Sequence, residues 1–311
     1  MILITGGTGF IGRALTRHLV DMGYAVRILI RPAPRSPRLP SGVPTDVALS
    51  GLTDDRGLRA AMIGVDTIFH LATGEWRGTR ASLMDIDIQG TRSVVEAAQD
   101  AGVKRLFFIS HLGADRASAF PVLKAKGIAE EYIRKSDLDY TILRSAIVFG
   151  ANDGLTSGIV RLLSAIPFFF FLPGNGEALL QPLWVEDLVT CLTWAMADPQ
   201  TLRLTVDIGG PEYLSFRQIV ELVMQASGMR RHLVNMSGLA LRSSTILLES
   251  TFHGLPTSVY WLDYLAGNRT TSLDTIPRVF GLLPSRFSQR LAYLDGYDRH
   301  TPVARRFRLW R

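Results

Sequence analysis

The chain has one cysteine, Cys191, in 311 residues. That excludes an internal disulfide and any multi-cysteine zinc site, and no other metal-ligand set is called for. Cys191 lies in an apolar helical pattern, where a buried, inert thiol is expected rather than a nucleophile. No apolar run is long enough to span a bilayer. No signal peptide fits either, because a strand-like run starts at Met1, so a reduced, cytoplasmic compartment is the default. A strong surplus of one charge is lacking: 34 Lys plus Arg stand against 28 Asp plus Glu, a mild net of +6. The basic residues are dispersed except in one loop and at the C-terminus, which argues against nucleic acid as a partner. Internal repeats and low-complexity tracts are lacking too.

What is present begins at the first residue. Met1-Ile2-Leu3-Ile4-Thr5 is a short apolar run that breaks into Gly6-Gly7-Thr8-Gly9-Phe10-Ile11-Gly12. Beyond it, Ile11, Leu15, Leu19 and Val20 keep helical spacing. The pattern is strand, tight turn, helix, and Gly7, Gly9 and Gly12 satisfy G-x-G-x-x-G. One glycine is expected in a backbone conformation closed to other residues. The next would let the chain approach a pyrophosphate, and the third would let helix and strand pack closely. Phosphates would sit over the free N–H groups at the helix start. The competing reading is a glycine turn with no ligand.

A second strand over Tyr24–Ile30 ends at Arg31, where a dinucleotide fold faces the adenosine ribose. An acidic residue there would suit NAD(H). Instead Arg31 is followed by Arg35 and Arg38 in a loop with Pro32, Pro34, Pro37 and Pro40. Arginines suit a 2′-phosphate, so NADP(H) is expected in preference to NAD(H), which stays possible; a solvated basic loop is the alternative. Asp54-Asp55 predicts a short helix through Met62. Val65–Ala72 reads as the next strand, ending in Thr73-Gly74, with His70 packing or hydrogen-bonding at its end. A helix from about Leu83 to Ala101 stops at Gly102. Val103–Ser110 and Tyr140–Arg144 are further buried strands. Repeated strand–helix units imply an α/β fold, a doubly wound parallel sheet.

These segments also resemble a known family. The turn Thr5–Gly12, Phe69-His70-Leu71-Ala72, Asp87-Ile88-Gln89-Gly90-Thr91, Ala101–Arg105, Asp139–Arg144 with Phe149-Gly150, and Gln181–Asp187 are similar to the extended and atypical short-chain dehydrogenase/reductases. The match follows the family's order along most of the chain. It lies nearest the group that includes the NAD(P)-binding accessory subunit of respiratory complex I. The resemblance implies that Leu71, Ala72 and Thr73 border the cofactor, that Ser145, Ala146 and Ile147 neighbour the nicotinamide, and that a small helical C-terminal lobe caps the cleft.

Active members of that superfamily use Ser, Tyr and Lys, with Tyr and Lys spaced Y-x-x-x-K. Here the resemblance puts the lysine at Lys126, followed by Glu130, and the tyrosine position at Val122. The alternative register, Phe120 with Lys124, also lacks the hydroxyl. Of Ser110 to Leu112, only Ser110 can supply the serine hydroxyl, and Asp87 stands where many members have Asn. Losing the proton-transfer group is worth roughly 10²–10⁴-fold, so tyrosine-based alcohol–ketone chemistry is not expected. Lys126 would hold the nicotinamide ribose, or act as the acid/base itself as in the isoflavone-reductase-like branch; an exposed helix lysine is the bland reading.

Four consecutive phenylalanines, Phe168 to Phe171, cannot all face one core from a strand. They are read either as a core clamp or as a greasy wall at a binding site. Ser215-Phe216-Arg217-Gln218 predicts a capping box opening a helix that Gly228 closes. The expected division is 1–228, an NAD(P)-binding domain, and 229–311, a small helical lobe with a basic tail. Trp261, Tyr264 and Leu265 read as core-facing residues of that lobe. The tail Arg305–Arg311 could meet a protein complex or the cytoplasmic face of a membrane, or simply fray. The expected function is an NAD(P)-binding protein whose cofactor is structural or regulatory. The alternative is an NADPH-dependent reductase, epimerase or dehydratase acting on an apolar or nucleotide-linked substrate through Lys126.

Overall fold

The apolar run after Met1 forms β1 (Ile2–Thr5), buried at every residue, and the glycine turn leads from it into α1 (Phe10–Asp21). In the computed structural model, residues 1–33, 39, 42–75, 82–166, 168–251 and 259–295 are described. The chain continues through β2 (Val26–Ile30), β3 (Asp46–Leu49), α2 (Asp55–Ala61) and β4 (Thr67–His70). A π-helical turn at Met84–Gln89 runs into α3 (Gly90–Asp100), followed by β5 (Arg105–His111), α4 (Pro121–Lys135) and β6 (Asp139–Ser145). Next come β7 (Val148–Phe149), α5 (Thr156–Ala165), β8 (Phe169–Pro173), β9 (Leu179–Leu180) and β10 (Leu183–Trp184). After them follow α6 (Val185–Ala197), β11 (Leu204–Ile208), β12 (Leu214–Ser215), α7 (Phe216–Ser227) and β13 (His232–Met236). The helices α8 (Gly238–Thr251), α9 (Val259–Tyr264) and α10 (Thr275–Phe280) complete the order.

These elements form two compact units. One takes Met1–Ser145, Val185–Ile208 and Thr275–Leu282; the other takes Ala146–Trp184, Gly209–Asp274 and the described residues from Leu283. The chain thus passes between units several times, so this partition follows different lines from the single boundary expected after residue 228. Spatial contact, unlike composition, need not be contiguous in sequence.

The first unit is built on a seven-stranded sheet in the order β3-β2-β1-β4-β5-β6-β11, with every pairing parallel. This is the doubly wound α/β architecture expected from sequence. Leu3, Ile4, Ile28, Ile68, Phe69, Phe107 and Ile142 are fully buried, as parallel strands covered on both faces require. The Phe69 and Phe107 rings stack at 4.7 Å. The strand order reverses between β1 and β4, and in such sheets the crevice at that point is where ligands bind. Cys191 is fully buried on α6. Burial, with Asp187 adding to it, pushes its thiol up to about 12, so it is inert as expected.

In the second unit β8 pairs with β13 in parallel. The region from Met229, expected to be helical, contributes β13 instead: a strand partner outweighs a weak local pattern. Strand β3 likewise escaped the reading of the sequence, and it too is an edge strand. The capping box forms as anticipated, with Ser215 and Gln218 bonding reciprocally and Gly228 left-handed at φ 71°. Along β8 the phenylalanines alternate: Phe170 is buried, whereas Phe169 and Phe171 are exposed. Phe149 packs on Trp184 and Phe287, ring to ring at 5.3 and 4.7 Å. Among the described residues, no helix is long and apolar enough to cross a membrane.

Candidate functional site

The turn after β1 is fixed by what each glycine excludes. Gly6 has φ +72°, and a Cβ there would lie 2.7 Å from the backbone of Leu71 and Ala72. A Cβ on Gly7 would strike Ile28 of β2 at 2.6 Å; one on Gly12 would come within 2.3 Å of the Gly6 carbonyl oxygen. Gly9 meets only the Gly6 oxygen, at 3.1 Å, and is otherwise open. The left-handed conformation therefore belongs to Gly6, outside the G-x-G-x-x-G triplet to which it was assigned, because β1 must turn sharply against the end of β4. Close packing falls to Gly12 and open approach to Gly9, as expected. Gly9 is also the N-cap of α1 and brings no side-chain cap, so the first N–H groups of the helix point out unclaimed by it. Arg13 steadies the turn by donating to the Thr8 carbonyl at 2.7 Å. Phe10 and Ile11 are half-buried at the helix start. The cradle fits an anionic pyrophosphate in shape and polarity.

Beside the turn, His70 is fully buried. Thr91 donates its hydroxyl to the Asp87 carbonyl (2.6 Å), so it accepts from His70 Nε2–H (2.9 Å). Nδ1 is then left to accept from Thr5 (2.6 Å). Burial, with help from the Lys126 charge, pushes the imidazole down to about 3. His70 is a neutral structural bond between β4, β1 and α3, in line with the expectation for a strand-end histidine.

The side-chain cluster at the carboxyl ends of β4 and β5 is where the structure adds most. Lys126 on α4 is buried, and its Nζ lies 3.1 Å from Asp87 Oδ1 and 5.2 Å from the centre of the Phe108 ring. The reading of Lys126 as an exposed helix lysine is thereby excluded, while Lys124 is the exposed one. Asp87 also accepts from the Thr73 hydroxyl at 2.7 Å and the Gly74 N–H at 2.9 Å. Thr73 stands 3.3 Å from Glu75, which accepts from His111 Nε2 at 2.7 Å. Burial by itself would raise the Glu75 carboxyl, but the charge and hydrogen bond of His111, with Lys126 and Thr73, outweigh it and hold it below the ordinary range. Glu75 and His111 were missed in the sequence, since nothing local links them. Asp87 was legible only as a departure from Asn.

Val122 is half-buried on the first turn of α4, one turn before Lys126 and so on the same face. The spacing marker Glu130 has its own task. It is fully buried and binds Arg144 of β6 at 2.7 Å and Arg134 at 2.8 Å, tying α4 to the sheet. The Ser110 hydroxyl is buried with no hydrogen-bond partner among the described residues. Ser145 closes β6 as the register partner of His111, and Ala146 and Ile147 follow it, both buried. Arg31 stands exposed just past the end of β2. Arg35, Arg38 and the tail Arg305–Arg311 lie outside the described residues. The turn, Leu71 to Thr73, Asp87 and Lys126 thus form one contiguous array at the sheet's switch point.

A family model described as NAD(P)H-binding matches residues 6–163, just over half the chain. The chain belongs to that NAD(P)H-binding family. Its fold is like that of a solved short-chain dehydrogenase/reductase superfamily protein from Agrobacterium tumefaciens, with a TM-score of 0.69 at 20% identity, covering 99% of this chain and 98% of that one. Among its relatives is the photosystem II assembly factor Ycf39 of Synechocystis, 25% identical over 306 residues, covering 95% of this chain and 90% of the relative. Another is the mitochondrial NADH dehydrogenase (ubiquinone) 1 alpha subcomplex subunit 9 of Arabidopsis thaliana, 27% identical over 235 residues, 71% of this chain and 56% of the relative. The ceramide reductase of Caulobacter vibrioides is 29% identical over 304 residues, 98% of this chain and 88% of the relative.

Proposed function

We propose that this NAD(P)H-binding protein holds NADP(H) in preference to NAD(H), and that the bound dinucleotide has a structural or regulatory role. One observation carries the reading: the residue one turn before Lys126 is Val122, which cannot transfer a proton. The turn Gly6–Gly12, including Thr8, Phe10 and Ile11, would seat the pyrophosphate, with Leu71, Ala72 and Thr73 alongside. Arg31, with Arg35, would meet the adenosine phosphate. Lys126 would hold the nicotinamide ribose, the unclaimed Ser110 hydroxyl would add a polar contact, and Ser145, Ala146 and Ile147 would border the ring. When bound, the nicotinamide supplies a hydride donor or acceptor; Val122 stands where the resemblance puts the phenol that manages the proton.

Lys126 is already engaged: its Nζ is held 3.1 Å from Asp87 Oδ1 in a buried ion pair, and such a pair is costly to break. A dinucleotide that binds only the folded chain stabilises it by mass action. Relatives named for photosystem II assembly and for a subunit of NADH dehydrogenase support a role inside a protein complex. The proposed location is cytoplasmic, with the basic tail at a membrane's cytoplasmic face.

The second reading is an NADPH-dependent reductase of apolar substrates, favoured by near full-length similarity to a ceramide reductase. The two separate in one assay. The protein is mixed with NADPH and a panel of long-chain ketones, quinones and nucleotide sugars, and the absorbance of the reduced nicotinamide is followed. Binding without turnover is expected. Turnover that Lys126→Ala abolishes while dinucleotide affinity survives would replace the first reading with the second. Val122→Tyr, which restores the phenol, is expected to create turnover if the rest of the scaffold is competent.

A further inference from the structure

We infer that the second unit contains a binding site for a long aliphatic chain, separate from the dinucleotide seat. A cavity of about 380 Å³ lies wholly within that unit. It is of the size of small-molecule pockets, roughly 300–1,000 Å³. Its shape follows from α5: Leu155, Ile159, Leu162 and Ile166 line it. That spacing is one continuous stripe from the helix N-cap to its C-cap, about 16 Å long at the rise of an α-helix. Phe170 of β8 and Trp261 of α9 face the same space. This is where the phenylalanine run and part of the Trp261–Leu265 segment are used: Leu265 lines the cavity too, while Tyr264 is buried. Of the phenylalanine run, Phe170 and Phe171 line the cavity.

Among the described residues no charged side chain lines the cavity, and its hydroxyls come from Ser244 and Thr245. The Ser244 hydroxyl donates to the Leu241 carbonyl of its own helix at 2.9 Å, so its proton is already used. A ligand rich in hydrogen-bonding groups would find few partners there, and burying unmatched polar groups is costly. An elongated, uncharged space matches a hydrocarbon chain. The elements that line it also expose apolar side chains outward: Phe168 beside β8, and Leu239 and Leu247 on α8, are 68%, 82% and 67% exposed. Large apolar side chains left exposed on these elements suit contact with another apolar body, such as the lipid from which a chain would be drawn.

The test uses cis-parinaric acid, a fatty acid that fluoresces in apolar sites, titrated into the full chain. Saturable micromolar binding is expected, with energy transfer from tryptophan that falls in Trp261→Phe. Leu162→Trp and Ile159→Phe narrow the stripe, and each should weaken binding at least tenfold while thermal unfolding stays cooperative. Unchanged affinity in whichever variant folds, or no saturable binding by the parent chain, would overturn the inference. Palmitate in solution and phosphatidylcholine vesicles are then used as competitors. Displacement by palmitate alone assigns a free fatty acid, and displacement by vesicles assigns a membrane lipid. Displacement by neither would also overturn it. NADPH titration of the same samples reports the first unit independently, so failure of one reading leaves the other standing.

Discussion

The two ends of the proposed dinucleotide seat are built by opposite means. The phosphate end, Gly6 to Gly12, is made of backbone and of side chains left out. Its shape leaves no room for side chains: a Cβ on Gly12 would come within 2.3 Å of the Gly6 oxygen. The nicotinamide end is made of side chains from separate elements: Thr73 and Glu75 after β4, Asp87 before α3, His111 on β5 and Lys126 on α4. A backbone cradle binds through geometry that substitution can only block. A side-chain cluster can exchange one member and change its chemistry without losing its form. On the proposed reading, that is how a dinucleotide seat would persist with valine where the resemblance puts the tyrosine.

The sharpest way to break the comparison is at the side-chain end. Lys126→Met should cost about 3 kcal/mol, the low end for stripping a buried charge of its partner, because Asp87 keeps Thr73 and Gly74. Adding Asp87→Asn should recover a large part, and urea unfolding of the single and double variants measures both. At the backbone end, Gly12→Ala forces a Cβ against backbone atoms that cannot rotate away. A loss of about 1–3 kcal/mol is expected from overpacking, together with weakened NADPH binding. Dinucleotide affinity equal to the parent's would show that the cradle is not the seat.

Protonation gives a smaller effect. An unfolded histidine binds its proton near pH 6.5, but His70 in the fold does so only at about 3. Between these values the unfolded state holds more protons, so stability falls as pH drops through this window, by up to about 1.4 kcal/mol per pH unit. His70→Asn should reduce the stability difference measured between pH 7 and pH 5. Glu75, lowered in the fold, contributes stability above the unfolded carboxylate range and loses it only at more acid pH, outside this interval. The least effect is expected at the exposed Arg31. Replacing it with Ala should weaken NADPH by about tenfold, as for one charge-assisted hydrogen bond, and leave NADH unchanged.

What the sequence made legible follows the same division. Strand, glycine turn and helix run without a break from Ile2 to Asp21, and the capping box at Ser215 and Gln218 spans one helical turn, so local rules reached them. Asp54 capping α2 by accepting from Gly57 is another such case. Lys126 was found by its spacing to Glu130, yet its burial was not, because Asp87 lies 39 positions away. The Glu75–His111 pair and strand β13 depend on partners that only folding brings near. The assignment of the left-handed residue missed by one position, since it was β4 behind the turn, not the ligand in front of it, that required glycine at residue 6.

The central claim, that the turn is a working dinucleotide seat, is tested most directly by fluorescence titration of the purified full chain with NADPH and with NADH. Saturable micromolar binding, tighter for NADPH, is the expected result. No binding of either at that concentration would contradict it.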